Sequence, residues 1–167
     1  MENLLKGKPF FLVGHSDGAS IALLYGAERA PLLKGIISEA AHVMVEPETI
    51  RGVYLAEQRF ESKGAGGLTR YHGEKTEAIF KAWSQTWQSV WFRHWNITYA
   101  LPSISCPVLV IQGEADQFAT GKQVEHITAG LAQPTPQLIS DCGHTPHLEE
   151  PELLTRMMAD FINKHSS

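Results

Sequence analysis

The chain has 167 residues, which suits one domain around one core. It is 43% hydrophobic and 19% charged with a formal net charge of −4, the balance of an ordinary globular protein and not that of a basic nucleic-acid binder. No apolar run approaches a membrane span, and Met1–Lys8 lacks the apolar core of a secretory leader. The expected setting is therefore the cytoplasm, with neither a nucleic-acid nor a membrane partner. Cys106 and Cys142 fit no disulfide framework and read as small buried side chains.

Phe10-Phe11-Leu12-Val13, ended by Gly14, reads as a strand buried on both faces. Small and helix-forming residues from Ala19 to Arg29 predict a helix. Gly35-Ile36-Ile37-Ser38 is a second strand, with Glu39 to His42 in the loop beyond it. Pro47 to about Lys63 is helical and charged, and Gly64 to Gly67 breaks it. Glu74 to Trp95 is read as one further helix. It carries Trp83, Trp87, Trp91 and Trp95, each four residues from the last, as a stripe that packs on the body of the protein or lines an apolar pocket. Residues 46–100 are thus expected to form a helical lid inserted into a single domain spanning 1–167.

Strand character returns at Pro107–Ile111, followed by a helix from about Gly121 to Leu131. Gln137-Leu138-Ile139 is a brief fourth strand, and Asp141 to His144 is a turn. Pro151 to His165 closes the chain as an amphipathic helix, with Leu153, Leu154, Met157, Met158, Phe161 and Ile162 on its apolar side. Alternating strands and helices predict an α/β fold with about four parallel strands flanked by helices. Functional loops in such sheets follow the C-terminal ends of the strands.

Three of those ends carry one chemistry. Gly14-His15-Ser16-Asp17-Gly18 stands at a strand-to-helix junction. A serine held there in a strained turn exposes its hydroxyl, and a Cβ at either flanking glycine is expected to clash. The N–H of Asp17, at the start of the following helix, is the candidate oxyanion donor. The hydroxyl needs a base, and the base an orienting acid. Asp116 follows the third strand and is the chosen acid over Glu114, which is expected to face solvent. His144 follows the fourth strand and is the chosen base, with Gly143 allowing a tight approach. The chain order Ser16, Asp116, His144 is the order this architecture requires. His15 reads as a packing or pocket residue, Asp141 as a turn residue, and His147 as structural. His144-x-x-His147 has the spacing of a metal pair, but no third ligand accompanies it in the sequence. Neither a metal nor an organic cofactor is expected.

Together these segments resemble the α/β-hydrolase superfamily. The resemblance rests on Val13–Gly18, on Val110–Asp116 and on Asp141–Leu148, with Glu150-Pro151 opening the last helix as in the family. It is closest in flavour to the lid-bearing serine esterases and carbon–carbon bond hydrolases. It implies a Ser16–His144–Asp116 triad acting on a small apolar ester, without choosing between ester and carbon–carbon cleavage.

The resemblance covers the C-terminal part of the family's pattern only. In the family the serine lies near mid-chain, after several strands and a loop that supplies a second oxyanion N–H; here fifteen residues precede Ser16. Two expectations follow. Activity is weak, because losing one such donor costs about 2.7–4 kcal/mol. The Phe10–Val13 strand is an exposed edge that pairs with a second copy about a two-fold axis, unless Met1–Lys6 or the lid covers it. Alternatives left open are a non-catalytic dimeric remnant and a half that needs a separate N-terminal partner.

Overall fold

The computed structural model describes residues 7–28 and 30–166. In chain order these form β1 (Phe10–His15), α1 (Asp17–Ala27), β2 (Leu33–Glu39), α2 (Pro47–Lys63), α3 (Leu68–His72) and α4 (Thr76–Gln88). Next come β3 (Val108–Gly113), α5 (Gly121–Gly130), β4 (Pro134–Ile139), α6 (Pro146–Glu149) and α7 (Pro151–His165). The strands make one sheet in the order β1-β2-β3-β4, each neighbouring pair parallel. The expected class, a sheet of four parallel strands flanked by helices, is the one observed. No helix among the described residues is long and apolar enough to cross a membrane.

Alternation along the strands sorts the core into two layers. Ile36, Val108 and Val110 face Ala19, Ala22 and Leu23 of α1 and Val124 and Ile127 of α5. Ile37, Leu109 and Ile111 face Leu154 and Phe161 of α7. Both faces are covered, so the central strands read as unbroken apolar runs. The closing helix has the bounds expected of it, and its six apolar residues pack in that second layer.

The two outer strands differ in how they meet solvent. β4 carries Pro134 and Pro136. Val108 N–H donates to the Gln133 carbonyl and Glu114 N–H to that of Ile139, so the odd positions of β4 face β3. Both prolines then fall on the open side, where a missing N–H costs no ladder bond. β1 is paired only to β2 among the described residues. The expectation that this strand is buried on both faces holds for Phe10 but fails at Val13, which is 57% exposed. Val13 points to the same side as Phe11, which meets Phe161 edge-on. The cover that α7 gives this face does not extend over Val13. The idea that Met1–Lys6 covers the edge falls outside the described residues.

The single helix expected from Glu74 to Trp95 is also corrected. It is preceded by α3 and a 3-10 turn at Gly73–Lys75, and it stops at Gln88. Ser89 is extended and its hydroxyl donates to the Thr86 carbonyl at 2.7 Å, closing the last turn. The tryptophan stripe therefore breaks in two. Trp83 and Trp87 remain on α4. Trp95 packs against Phe92 and Trp87, while Trp91 is 74% exposed.

The glycines around the strand ends do not all serve the same purpose. A Cβ on Gly14 would stand 2.3 Å from the Gly18 carbonyl oxygen, and one on Gly113 would stand 2.1 Å from that of Cys142. A Cβ on Gly18 would meet nothing within 4 Å, against the expectation that both flanking glycines of Ser16 are sterically required. Gly18 lies in the first turn of α1 and tolerates a side chain. Gly14→Ala and Gly113→Ala should each cost about 3 kcal/mol or more, since backbone must move. Gly18→Ala should stay within about 1 kcal/mol of the parent. Urea unfolding of the three variants tests this; equal losses in all three would refute the distinction.

Candidate active site

Ser16 lies between β1 and α1 with φ 55° and ψ −125°, a left-handed conformation that costs a non-glycine residue free energy. The surrounding bonds over-determine it. Its N–H donates to the Glu39 carbonyl at 2.9 Å, and its own carbonyl accepts from Ala19 and Ser20. The Ser16 hydroxyl stands 3.0 Å from His144 Nε2. His144 Nδ1 lies 2.9 and 2.8 Å from the two Asp116 carboxylate oxygens. Because a carboxylate only accepts, Nδ1 carries the proton and Nε2 is left to accept from the hydroxyl. The three residues singled out in the sequence thus form one hydrogen-bonded chain, with Asp116 and His144 both buried.

The loops that hold this chain are short and braced. Ala115 N–H donates to the Cys142 carbonyl at 2.8 Å, which joins the turn after β3 to the turn after β4. Asp116 Oδ1 also accepts from Phe118 N–H at 2.8 Å, fixing its carboxylate. Glu114, the rejected acid, is exposed and accepts from the Ser140 hydroxyl instead. The tight approach assigned to Gly143 belongs to Gly113, since a Cβ on Gly143 would meet mainly the movable Glu149 carboxylate. That carboxylate accepts from Gly143 N–H, Thr145 N–H and the Thr145 hydroxyl, so it splints the peptide carrying His144. The Gly143 bond leads in holding its pKa below the usual carboxylate range.

Asp17 opens α1, so its N–H belongs to the first turn that has no acceptor within the helix. Its side chain lies in the wall between two cavities. One, of 230 Å³, contains Ser16 and His144 beneath Trp83, Trp87 and Phe118. The other, of 360 Å³, is lined chiefly by Ile21, Leu24, Phe92, Trp95 and the same two tryptophans. Burial pushes the Asp17 carboxyl up, and hydrogen bonding by the Trp87 and Trp83 indoles pulls it partly back. No role for this side chain is legible in the sequence.

Two further residues at the site escaped the sequence reading. Phe118 lies 4.7 Å from the His144 ring, centroid to centroid. His42 lies 5.9 Å from it and 5.2 Å from Trp87. The segment bearing His42 is held by Ser20, whose hydroxyl donates to the His42 carbonyl at 2.6 Å. Gln123 secures the next residues, accepting from Val43 N–H and donating to the Met44 carbonyl. The one sequence signal for His42 is its place just past a strand end.

His42 is buried, and its Nδ1 has no hydrogen-bond partner among the described residues. Burial, helped by repulsion from His144, lowers its pKa from 6.5 to about 4, although Asp116 opposes the shift. An imidazole depressed in the folded state is protonated first in the unfolded chain. Stability should therefore fall as pH drops from 6.5 to about 4, by up to about 3 kcal/mol from this residue. In His42→Gln the loss over that window should be smaller by this amount. Urea unfolding at several pH values measures it, and identical pH profiles for parent and variant would exclude His42 as the source.

Comparison with known proteins places the fold and the family. A model of the Alpha/beta hydrolase family matches residues 2–156. No curated protein sequence matches. Among solved structures, proline iminopeptidase of Mycobacterium smegmatis aligns at TM-score 0.70 and 19% identity, over 98% of this chain and 68% of that one. A thermophilic esterase from Thermogutta terrifontis gives 0.67 and 22%, over 99% and 69%. A meta-cleavage product hydrolase from Pseudomonas fluorescens gives 0.75 and 14%, over 98% and 68%. At these identities the structures speak for the fold alone, whereas the family model spans most of the chain: the protein belongs to the alpha/beta hydrolase family.

Proposed function

We propose that this chain hydrolyses carboxylic esters of small apolar groups by a serine mechanism. The observation that carries the reading is the Ser16–His144–Asp116 hydrogen-bond chain opening into a cavity walled by tryptophans. Ser16 Oγ attacks the acyl carbonyl while His144 Nε2 takes its proton. The proton then passes to the departing alkoxide, leaving an acyl-serine. Water, deprotonated by His144, attacks the acyl group and releases the acid. Asp116 holds the imidazole in the right tautomer and stabilises its charged form. The Asp17 N–H and the start of α1 stabilise the oxyanion. The helices between β2 and β3 act as a lid, with Trp83 and Trp87 contacting the apolar part of the substrate.

A short-chain chromogenic ester tests this. Ser16→Ala should abolish turnover, and Asp116→Asn should lower kcat by about 10⁴ through the wrong tautomer. Turnover in Ser16→Ala equal to that of the parent would refute the serine mechanism.

The homodimer is part of the same reading. Among the described residues one side of β1 is open and presents backbone hydrogen-bonding groups next to an exposed Val13, which is the form of edge that pairs with another strand. Antiparallel pairing of two β1 strands about a two-fold axis would join two sheets into one. Light scattering should give a dimer mass for the parent and a monomer for Val13→Lys, which places a charge on the edge. A parent that stays monomeric at high concentration overturns the pairing.

A further inference from the structure

The structure supplies the ligands that His144-x-x-His147 lacks in sequence, and it supplies them to His147 rather than to His144. Glu39, the last residue of β2, is only 2% exposed. Its Oε1 takes two hydrogen bonds, both 2.9 Å long and both from His147, one from the backbone N–H and one from ring Nδ1. The His15 ring packs edge-on to His147 with centroids 4.8 Å apart. A ligand atom from each of His15, Glu39 and His147 lies within 4.8 Å of the other two. A cation beside these donors would give the buried carboxylate the counter-charge that such a group calls for.

The geometry points to a binding site for a first-row divalent cation, Zn²⁺ or a similar ion, at His15, Glu39 and His147. Two imidazoles and a carboxylate are a donor set that such ions take, with bonds of about 2.0–2.2 Å. Donors on one tetrahedral ion stand about 3.3 Å apart. The separations here, from 2.9 Å for Glu39 and His147 to at most 4.8 Å, bracket that spacing. The His147 side chain is 40% exposed, which leaves solvent a way in. Both rings can bind while neutral. His147 moves its proton from Nδ1 to Nε2, and His15 moves its own from Nε2 to Nδ1.

Occupancy reaches the neighbouring site through one bond. His15 Nε2 stands 2.8 Å from the carbonyl oxygen of His144 and donates to it when the site is empty. A metal-bound Nε2 has no proton to donate. The ion therefore removes a brace from the peptide that carries His144. The cation site stands whether or not the proposed ester chemistry is correct.

Equilibrium dialysis of the purified chain against Zn²⁺, with Co²⁺ absorption as a second readout, tests the assignment. The parent should take up one equivalent and give a visible Co²⁺ band. His147→Asn and His15→Asn should each weaken uptake at least tenfold and lose the band, with circular dichroism showing that the fold is kept. His147→Asn is the decisive variant, because the ring is partly exposed and asparagine keeps a side-chain donor for Glu39. Asp116→Asn and Ser16→Ala should bind like the parent. No uptake by the parent, unchanged uptake in His147→Asn, or a loss confined to Asp116→Asn, which would put the ion at His144, overturns the site.

Discussion

The backbone contact between Gly113 and the Cys142-Gly143 turn is the constraint on which the site depends. Asp116 follows β3 and His144 follows β4, and their side chains meet only if these two turns touch. With a Cβ on residue 113 only 2.1 Å from a carbonyl oxygen, glycine is what allows the approach. The Ala115 N–H bond to Cys142 then locks it. Parallel strands put both turns at the same edge of the sheet, and the missing side chain closes the last few ångströms.

Ser16 is fixed by a different kind of close approach. Gly14 lets the start of α1 fold back over the end of β1, and this forces Ser16 into positive φ. The strain persists because β2 and α1 both hold the turn. The Glu39 carbonyl takes the Ser16 N–H, and the first turn of α1 takes its carbonyl. Since β1 is paired on one side only among the described residues, β2 carries more of this positioning than it would for a strand flanked on both sides.

What was legible in the sequence follows from what sequence encodes locally. α2 and α7 have the bounds expected of them, because each starts at a proline and carries a helical period to its end. Ser16, Asp116 and His144 were legible because strand ends and glycines mark their turns. His42 and Phe118 were not, because they meet His144 only through the fold, with no motif of their own. The break in the tryptophan stripe was hidden for a related reason. A spacing of four continues smoothly through Ser89 on paper, while a hydroxyl bond to the Thr86 carbonyl ends the helix in space. The exposure of Val13 was equally invisible, since a buried strand and an edge strand can share one apolar sequence.

Glu39 shows how far one residue can act across this site. The sequence places it in a loop, but it is the last residue of β2, paired with His15 on one side and Ile111 on the other. Its carbonyl holds the peptide of Ser16, and its carboxylate holds the backbone and ring of His147. His147 is three residues from His144, in the short helix α6 that begins at Pro146. The serine and histidine arms of the site are therefore both tied to one residue, the first through its backbone carbonyl and the second through its buried carboxylate. A shift of Glu39 at the end of β2 would act on both arms together. This distinguishes Glu39 from Glu149, whose carboxylate holds the histidine arm alone.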